Sequence, residues 1–327
     1  MRCARAPGPR GFRCARTRHA LYCAPNGPRP PARLAQKTQP RNQSGGFALT
    51  VQHLADAASL AALVPSGARI GVTKGEQTDV PMAMALELVR RGVTDLDLVT
   101  IPTCAFPASG MMLDILVGAG CVRSVETSGV SMSELGAAPR FSAAVKAGTL
   151  KVVDATCPAV YAALQAGAKG QPFTALRGLI GSDLMAHRDD WAVVANPFEA
   201  DDPVALLKAI NPDVTLFHAP MADRHGNVWI GRNRDLLTLA HASDMTLVTV
   251  ERLVDGDLME DETLAPAVIP NFYVTALAEA PGACWPQQAD GTTDLDAVRA
   301  YMSAARTEEG FRDWLAAHVF ARPEAAE

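Results

Sequence analysis

Several polar stretches in this sequence combine side chains capable of chemistry. In Thr73-Lys74-Gly75-Glu76, a cation and a carboxylate flank a glycine directly after an apolar run. Lys74 and Glu76 can contact a bound acid there, and Gly75 lets backbone approach it; the same four residues also suit an exposed turn. A second stretch runs from Glu126 through Ser128, Gly129 and Ser131 to Glu134. The hydroxyls of Ser128 and Ser131 can hydrogen-bond a carboxylate or carbonyl, or cap a following helix. Glu126 is a candidate attacking carboxylate, or else a salt-bridged or capping residue. A third stretch, Gly178-Leu179-Ile180-Gly181-Ser182, offers Gly181 and Ser182, or simply a glycine turn. Cys157 precedes Pro158 at a helix start, where a thiol is either activated or buried. His218 and His225 flank a turn, but a metal requires a third donor at matched geometry, so no metal site is expected. Asn227, in the Gly-Asn turn, suits a structural role because asparagine tolerates left-handed dihedrals.

These residues need elements to hold them. Apolar runs predict strands at 68–72, 96–101, 122–126, 150–153, 214–218, 228–230 and 246–250. Helical periodicity or composition predicts helices at 54–64, 80–91, 112–117, 141–147, 159–166, 203–210 and 236–242. Strands separated by helices imply an α/β protein of three layers, an open and mostly parallel sheet with helices on both faces. The candidate loops then fall at strand C-terminal ends, where such sheets bind ligands.

The chain has 327 residues and a net charge of -5, but its charge is unevenly placed. Residues 1–46 hold ten Lys/Arg and no acid, which leaves 20 basic against 35 acidic side chains beyond them. An acidic body disfavours nucleic acid as a partner. The same leader is rich in Pro, Arg and Gly, lacks periodicity, and is expected to be disordered. Its prolines break any amphipathic targeting helix. An over-extended translation start, a targeting segment and a basic tail remain its three readings. A single domain over 47–327 is the economical expectation, since no linker or repeat follows Gly46.

No apolar run approaches the roughly 20 residues of a membrane span. Three of seven cysteines lie in the leader, and Cys104, Cys121, Cys157 and Cys284 form no CxxC pair. That usage suits a reducing, cytoplasmic setting. There is no GxSxG, HExxH or GxxxxGK[ST] motif. Gly118-Ala119-Gly120 opens like a dinucleotide loop, but Arg123 replaces its last glycine.

Several segments, in order, resemble the α-type subunit of the family I coenzyme A transferases of glutaconate type. They are Ser66-Gly67-Ala68-Arg69-Ile70-Gly71-Val72 continuing to Pro81, the passage from Glu87 through Thr94-Asp95-Leu96, and Leu116 to Gly120 with Val122. Gln171-Pro172-Phe173 leading to Gly178–Ser182 follows. Asp213 to His218, Ala222-Asp223-Arg224-His225-Gly226-Asn227-Val228, Thr246 to Glu251, and Ala280 to Pro286 complete the match. One departure is the replacement of the family's Gly-Gly-Phe by Thr73-Lys74-Gly75.

The resemblance implies a transferase that moves CoA between carboxylic acids. In the family a glutamate attacks the thioester and passes through anhydride and glutamyl-CoA intermediates; a carboxylate is nucleophilic at neutral pH without a partner base. That glutamate belongs to the β-type subunit, and no Ser-Glu-Asn-Gly-like motif occurs here. A β-type partner in an αβ, α2β2 or larger hetero-oligomer is therefore implied, with CoA as substrate and no permanently bound cofactor. Lys74, Gly75, Glu76, Ser128, Ser131, Gly181 and Ser182 are the expected substrate-binding residues, the 126–134 stretch corresponding to the family's serine-containing acyl-carboxylate loop. Some relatives, including a steroid ring-opening hydrolase, use a glutamate of the α chain instead. That position falls near Ala155-Thr156-Cys157, which lacks a carboxylate, with the shorter Asp154 adjacent. The alternatives are a subunit of a hydrolase or C–C-cleaving enzyme, and a non-catalytic scaffold subunit.

Overall fold

Runs such as Leu96-Asp-Leu-Val-Thr-Ile101 are apolar on both faces of an extended chain, so they are stable only when covered from both sides. A computed structural model of the chain describes residues 50–321, and the expected leader at 1–46 lies outside the described residues. In it these runs build an eight-stranded sheet. Its order is β1 (Gln52–Leu54), β15 (Ala276–Glu279), β12 (Met245–Val250), β9 (Val214–Ala219), β2 (Arg69–Thr73), β3 (Leu96–Ile101), β4 (Val122–Thr127) and β5 (Lys151–Asp154). Every neighbouring pair is parallel.

Side chains alternate across this sheet. Ile70, Val72, Leu98 and Leu216 face a core made with α1 (Ala57–Ala61), α2 (Met82–Arg90), α3 (Pro107–Gly118), α4 (Pro139–Ala147), α8 (Leu295–Ala304) and α9 (Glu308–Leu315). Val99, Ile101, Phe217 and Val248 face the opposite core, with α5 (Cys157–Ala168) and α7 (Asp235–Ala242). Helices on both faces of a parallel sheet make the three-layer α/β/α fold the sequence predicts. Two small sheets flank it among the described residues. One orders β6 (Phe173–Leu176), β8 (Val204–Lys208) and β7 (Trp191–Val194), all antiparallel, with α6 (Asp183–Ala186) in the connection. The other orders β13 (Leu253–Val254), β10 (Met221–Asp223), β11 (Val228–Trp229) and β14 (Val268–Ile269).

Three elements differ from expectation. Residues 203–210, read as a helix, form strand β8. Val204-Ala-Leu-Leu-Lys contains good helix formers, but its burial alternates, with Ala205 and Leu207 inside, and it pairs on both edges. Tertiary pairing overrides propensity there. The helix expected at 54–64 begins only at Ala57, because Leu54 closes β1 and Asp56 caps the first turn by accepting from Ser59 N at 2.7 Å. The helix expected at 112–117 starts five residues earlier, at Pro107. It is buried nearly all round, so no one-sided periodicity marks its first turns.

Two glycines allow close packing, the first of them against a candidate loop. A Cβ on Gly110 of α3 would lie 2.0 Å from the Ser131 carbonyl oxygen, and one on Gly167 of α5 would lie 2.1 Å from that of Ile210.

Candidate functional site

Strand β2 ends at Thr73 and hands over to the polar loop 73–80, beside the C-terminal ends of β3, β4 and β9. The segment after β3 locks two of the predicted loops together. Ser109 Oγ donates to the Lys74 carbonyl oxygen. Ser131 N donates to Cys104 O at 3.1 Å, and Cys104 N to Gly129 O at 3.1 Å. The loop bearing Lys74, Gly75 and Glu76 and the loop bearing Ser128 and Ser131 thus share one support. Ser128 Oγ donates to Pro102 O at 3.0 Å and lies 3.2 Å from the exposed Cys157 Sγ, at the first residue of α5. Ser131 Oγ donates to Ala105 O at 3.4 Å and accepts from Ser133 N at 3.3 Å.

Lys74 sits in a compact charged cluster. Its Nζ is 2.6 Å from Glu76 Oε2 and 3.1 Å from Asp235 Oδ2, and Tyr161 OH donates to the same Asp235 oxygen at 2.8 Å. Burial works to release the Lys74 proton, but the two carboxylates outweigh it and hold the ammonium above its ordinary range. Burial, reinforced by Asp235, raises the Tyr161 phenol.

Glu76 also lines a cleft of about 580 Å³ shared with Asp79, His218, Trp229, Asn233 and Leu236. Asp79 is buried beneath it. Its Oδ2 accepts from Thr73 Oγ1 at 2.7 Å and from Asn233 Nδ2, whereas Asp79 Oδ1 and Asn233 Oδ1 lack partners among the described residues. Burial pushes the Asp79 carboxyl up to about 7, against the lowering effect of those hydrogen bonds. The buried Gln287 staples the loop from below: its Oε1 accepts from Asp79 N at 3.1 Å and Val80 N at 3.0 Å, and its Nε2 donates to Gly75 O at 2.9 Å.

At the end of β9, His218 Nδ1 lies 2.9 Å from Thr249 Oγ1 and Nε2 lies 2.9 Å from Glu251 Oε1. Burial pulls the imidazole below its ordinary range, against the raising effect of Glu251. Beside it, burial and then Glu251 push the Cys284 thiol up to about 12.

Glu126 lies elsewhere. It faces a second cavity, of about 600 Å³, where Arg69 Nη2 and Arg188 Nη2 each approach its carboxylate to 2.6 Å. Arg188 in turn bonds Asp190 and stacks over Trp191 at 4.2 Å. Ser182 Oγ is spent on Leu179 O at 2.6 Å, before α6, and no hydrogen bond among the described residues joins Gly181 or Ser182 to the other two loops. The sequence reading missed Asp79, Asn233, Glu251, Cys284 and Gln287. The first two had one available signal, polar side chains a few residues beyond the candidate loop and the Gly-Asn turn. The others come from distant segments.

The family model for coenzyme A transferase matches residues 54–280. The chain is 31% identical over 249 residues to the A-type subunit of 3-oxoadipate CoA-transferase from Pseudomonas knackmussii, covering 73% of this chain and 84% of that protein. It is 28% identical over 266 residues to the cholesterol ring-cleaving hydrolase IpdA subunit of Rhodococcus jostii, covering 78% and 87% of the two chains. The crystal structure of glutaconate coenzyme A-transferase from Acidaminococcus fermentans superposes with a TM-score of 0.73 at 23% identity, over 84% of this chain and 90% of that one. No helix among the described residues is long and apolar enough to cross a membrane. With two thirds of its length matched by the family model and its fold shared with a solved member, this chain belongs to the coenzyme A transferases, as an α-type subunit.

Proposed function

We propose that this chain is the α subunit of a cytoplasmic heteromeric CoA-transferase, in which a β-type partner supplies the attacking glutamate. The chain contributes the loops 73–80 and 128–131, which hold the thioester end of an acyl-CoA, and Lys74, Gly75, Glu76, Ser128 and Ser131 contact the acid or the thioester. Gly181 and Ser182 form a more distant part of the acyl-CoA surface. Residues 47–327 act as one domain, to which the basic leader is dispensable.

One observation carries this reading. The carboxylates named at or beside the cleft each have at least one oxygen engaged: Glu76 and Asp235 by Lys74, Asp79 on Oδ2 alone by Thr73 and Asn233, Glu251 by His218, and Asp290 by Thr292. Glu126 is held between two guanidiniums, which stabilise the charge and blunt its nucleophilicity. The engaged carboxylates support a nucleophile from outside. The site then works by positioning and by hydrogen bonds to the developing oxyanion, which typically contribute about 3 kcal/mol per donor.

The experiment is to incubate the co-purified α/β pair with an acyl-CoA, quench with borohydride and map the modified peptide by mass spectrometry. The mark is expected on a glutamate of the partner, with the isolated α chain unmarked and inactive. A mark on this chain overturns the proposal. The likeness to a ring-cleaving hydrolase subunit supports a second reading, C–C or thioester hydrolysis on the same scaffold. A partner lacking the glutamate motif and a pair that releases free CoA without an acceptor acid would select it.

A further inference from the structure

His218, Glu251 and Cys284 reach one point from three separate segments: the end of β9, the residue after β12, and the turn after β15. Each offers one donor atom, and the three atoms lie within 4.8 Å of one another. Glu251 Oε1 is 2.9 Å from His218 Nε2 and 3.5 Å from Cys284 Sγ. A tetrahedral zinc ion with Zn–N and Zn–O near 2.0 Å and Zn–S near 2.3 Å sets its donors about 3.3 to 3.6 Å apart. The two edges to Glu251 lie within a few tenths of an ångström of these values, and the His218–Cys284 edge, within 4.8 Å, closes by up to about 1.3 Å when an ion is bound between them.

We infer that His218, Glu251 and Cys284 form a binding site for a divalent zinc-like cation beside the cleft. This revises the expectation from sequence, which paired His218 with His225 and found no third donor. The donor set combines imidazole, carboxylate and thiol, the ligands such borderline-soft cations take. Its charge also suits the location: a dication, a thiolate and a carboxylate sum to zero, so the occupied site carries no net charge into buried surroundings. On binding, the thiol proton leaves to solvent. The imidazole proton moves from Nε2 to Nδ1, where Thr249 Oγ1, 2.9 Å away, turns to accept it. Orienting partners of this kind are in place around ligands in built metal sites. Gly282 N donates to both Glu251 oxygens at 3.1 Å, which fixes the carboxylate. Three protein donors leave the fourth position for water or a ligand oxygen. The Glu251 side chain is 16% exposed, which gives an ion a way in.

The site would tie β9 and β12 to the turn carrying Gln287, and through that side chain to the loop 75–80. It does not depend on the acyl chemistry, because metal uptake is read directly whether or not CoA exchange is found. The test uses the full chain purified with its partner subunit, stripped by chelator and titrated with cobalt(II). Uptake of one ion per α chain with a thiolate-to-cobalt charge-transfer band is expected. Cys284→Ser should abolish the band, and Glu251→Gln should weaken binding by at least about tenfold. These variants separate the site from the leader cysteines, which all of them retain. Absence of the band from the wild-type pair, or a band unchanged by both substitutions, overturns the inference.

Discussion

Glu126 and Asp79 are both buried carboxylates, and the chain accommodates them in opposite ways. Glu126 is paired on both sides, with a guanidinium on each oxygen, from Arg69 and Arg188. Asp79 has only neutral donors on one oxygen and none on the other, and burial pushes it up to about 7. Removing one partner from a buried ionic group costs about 3 kcal/mol or more, because the opposite charge is left uncompensated. Glu126→Gln should therefore lower the unfolding free energy by about 3 kcal/mol in urea titrations. Turnover per folded α/β pair should stay within about twofold, the residue lying outside the cleft. A hundredfold fall in kcat with stability intact would instead make Glu126 the nucleophile. At this scale the sequence located polarity better than partnership. It marked Lys74, Glu76, Ser128 and Glu126 as residues of interest. Nothing in it revealed that Lys74 is shared by two acids, or that His218 meets Glu251 33 residues away.

Among the elements, legibility followed burial. β2, β3, β9 and β12 are covered on both faces, so their runs of Val, Leu, Ile and Thr announced them. β6, β7 and β8 are half exposed in a small antiparallel sheet, and their apolar runs of four or five residues are too short to tell strand from helix. β15, Ala276-Leu-Ala-Glu279, is alanine-rich and short, with its strand character supplied by β12 and β1 on either side. Helix α3 shows the reverse coupling, in which an element shapes a loop. Gly110 lets α3 lie against the Ser131 carbonyl, so any side chain there must push the 128–134 loop away. Gly110→Ala should destabilise the chain by about 3 kcal/mol through overpacking. It should also raise KM for the acyl substrate in the assembled pair, as read by steady-state kinetics. An unchanged KM would separate that loop from the substrate.

For the whole molecule, the three-layer architecture followed from alternation alone, whereas the sheet order did not. A run of strands and helices does not say that β9 inserts beside β2 or that β1 finds β15. The proposed dispensability of the leader belongs at this scale. Deleting residues 1–46 should leave the melting temperature within about 2 °C, since a surface change of under ~0.5 kcal/mol moves a domain this size by that much. A larger drop on calorimetry would make the leader part of the fold.

The Gln287 staple adds a constraint on timing. Loop 75–80 is translated early, yet the amide that fixes it lies 207 to 212 residues downstream. β1 likewise waits for β15 before it has a neighbour. While the ribosome is still at work, β2 through β5 can zip together as they emerge, but loop 75–80 stays unset until residue 287 has been added. A nascent chain stalled just before residue 287 would thus hold every strand of the main sheet yet leave loop 75–80 without the side chain that pins it.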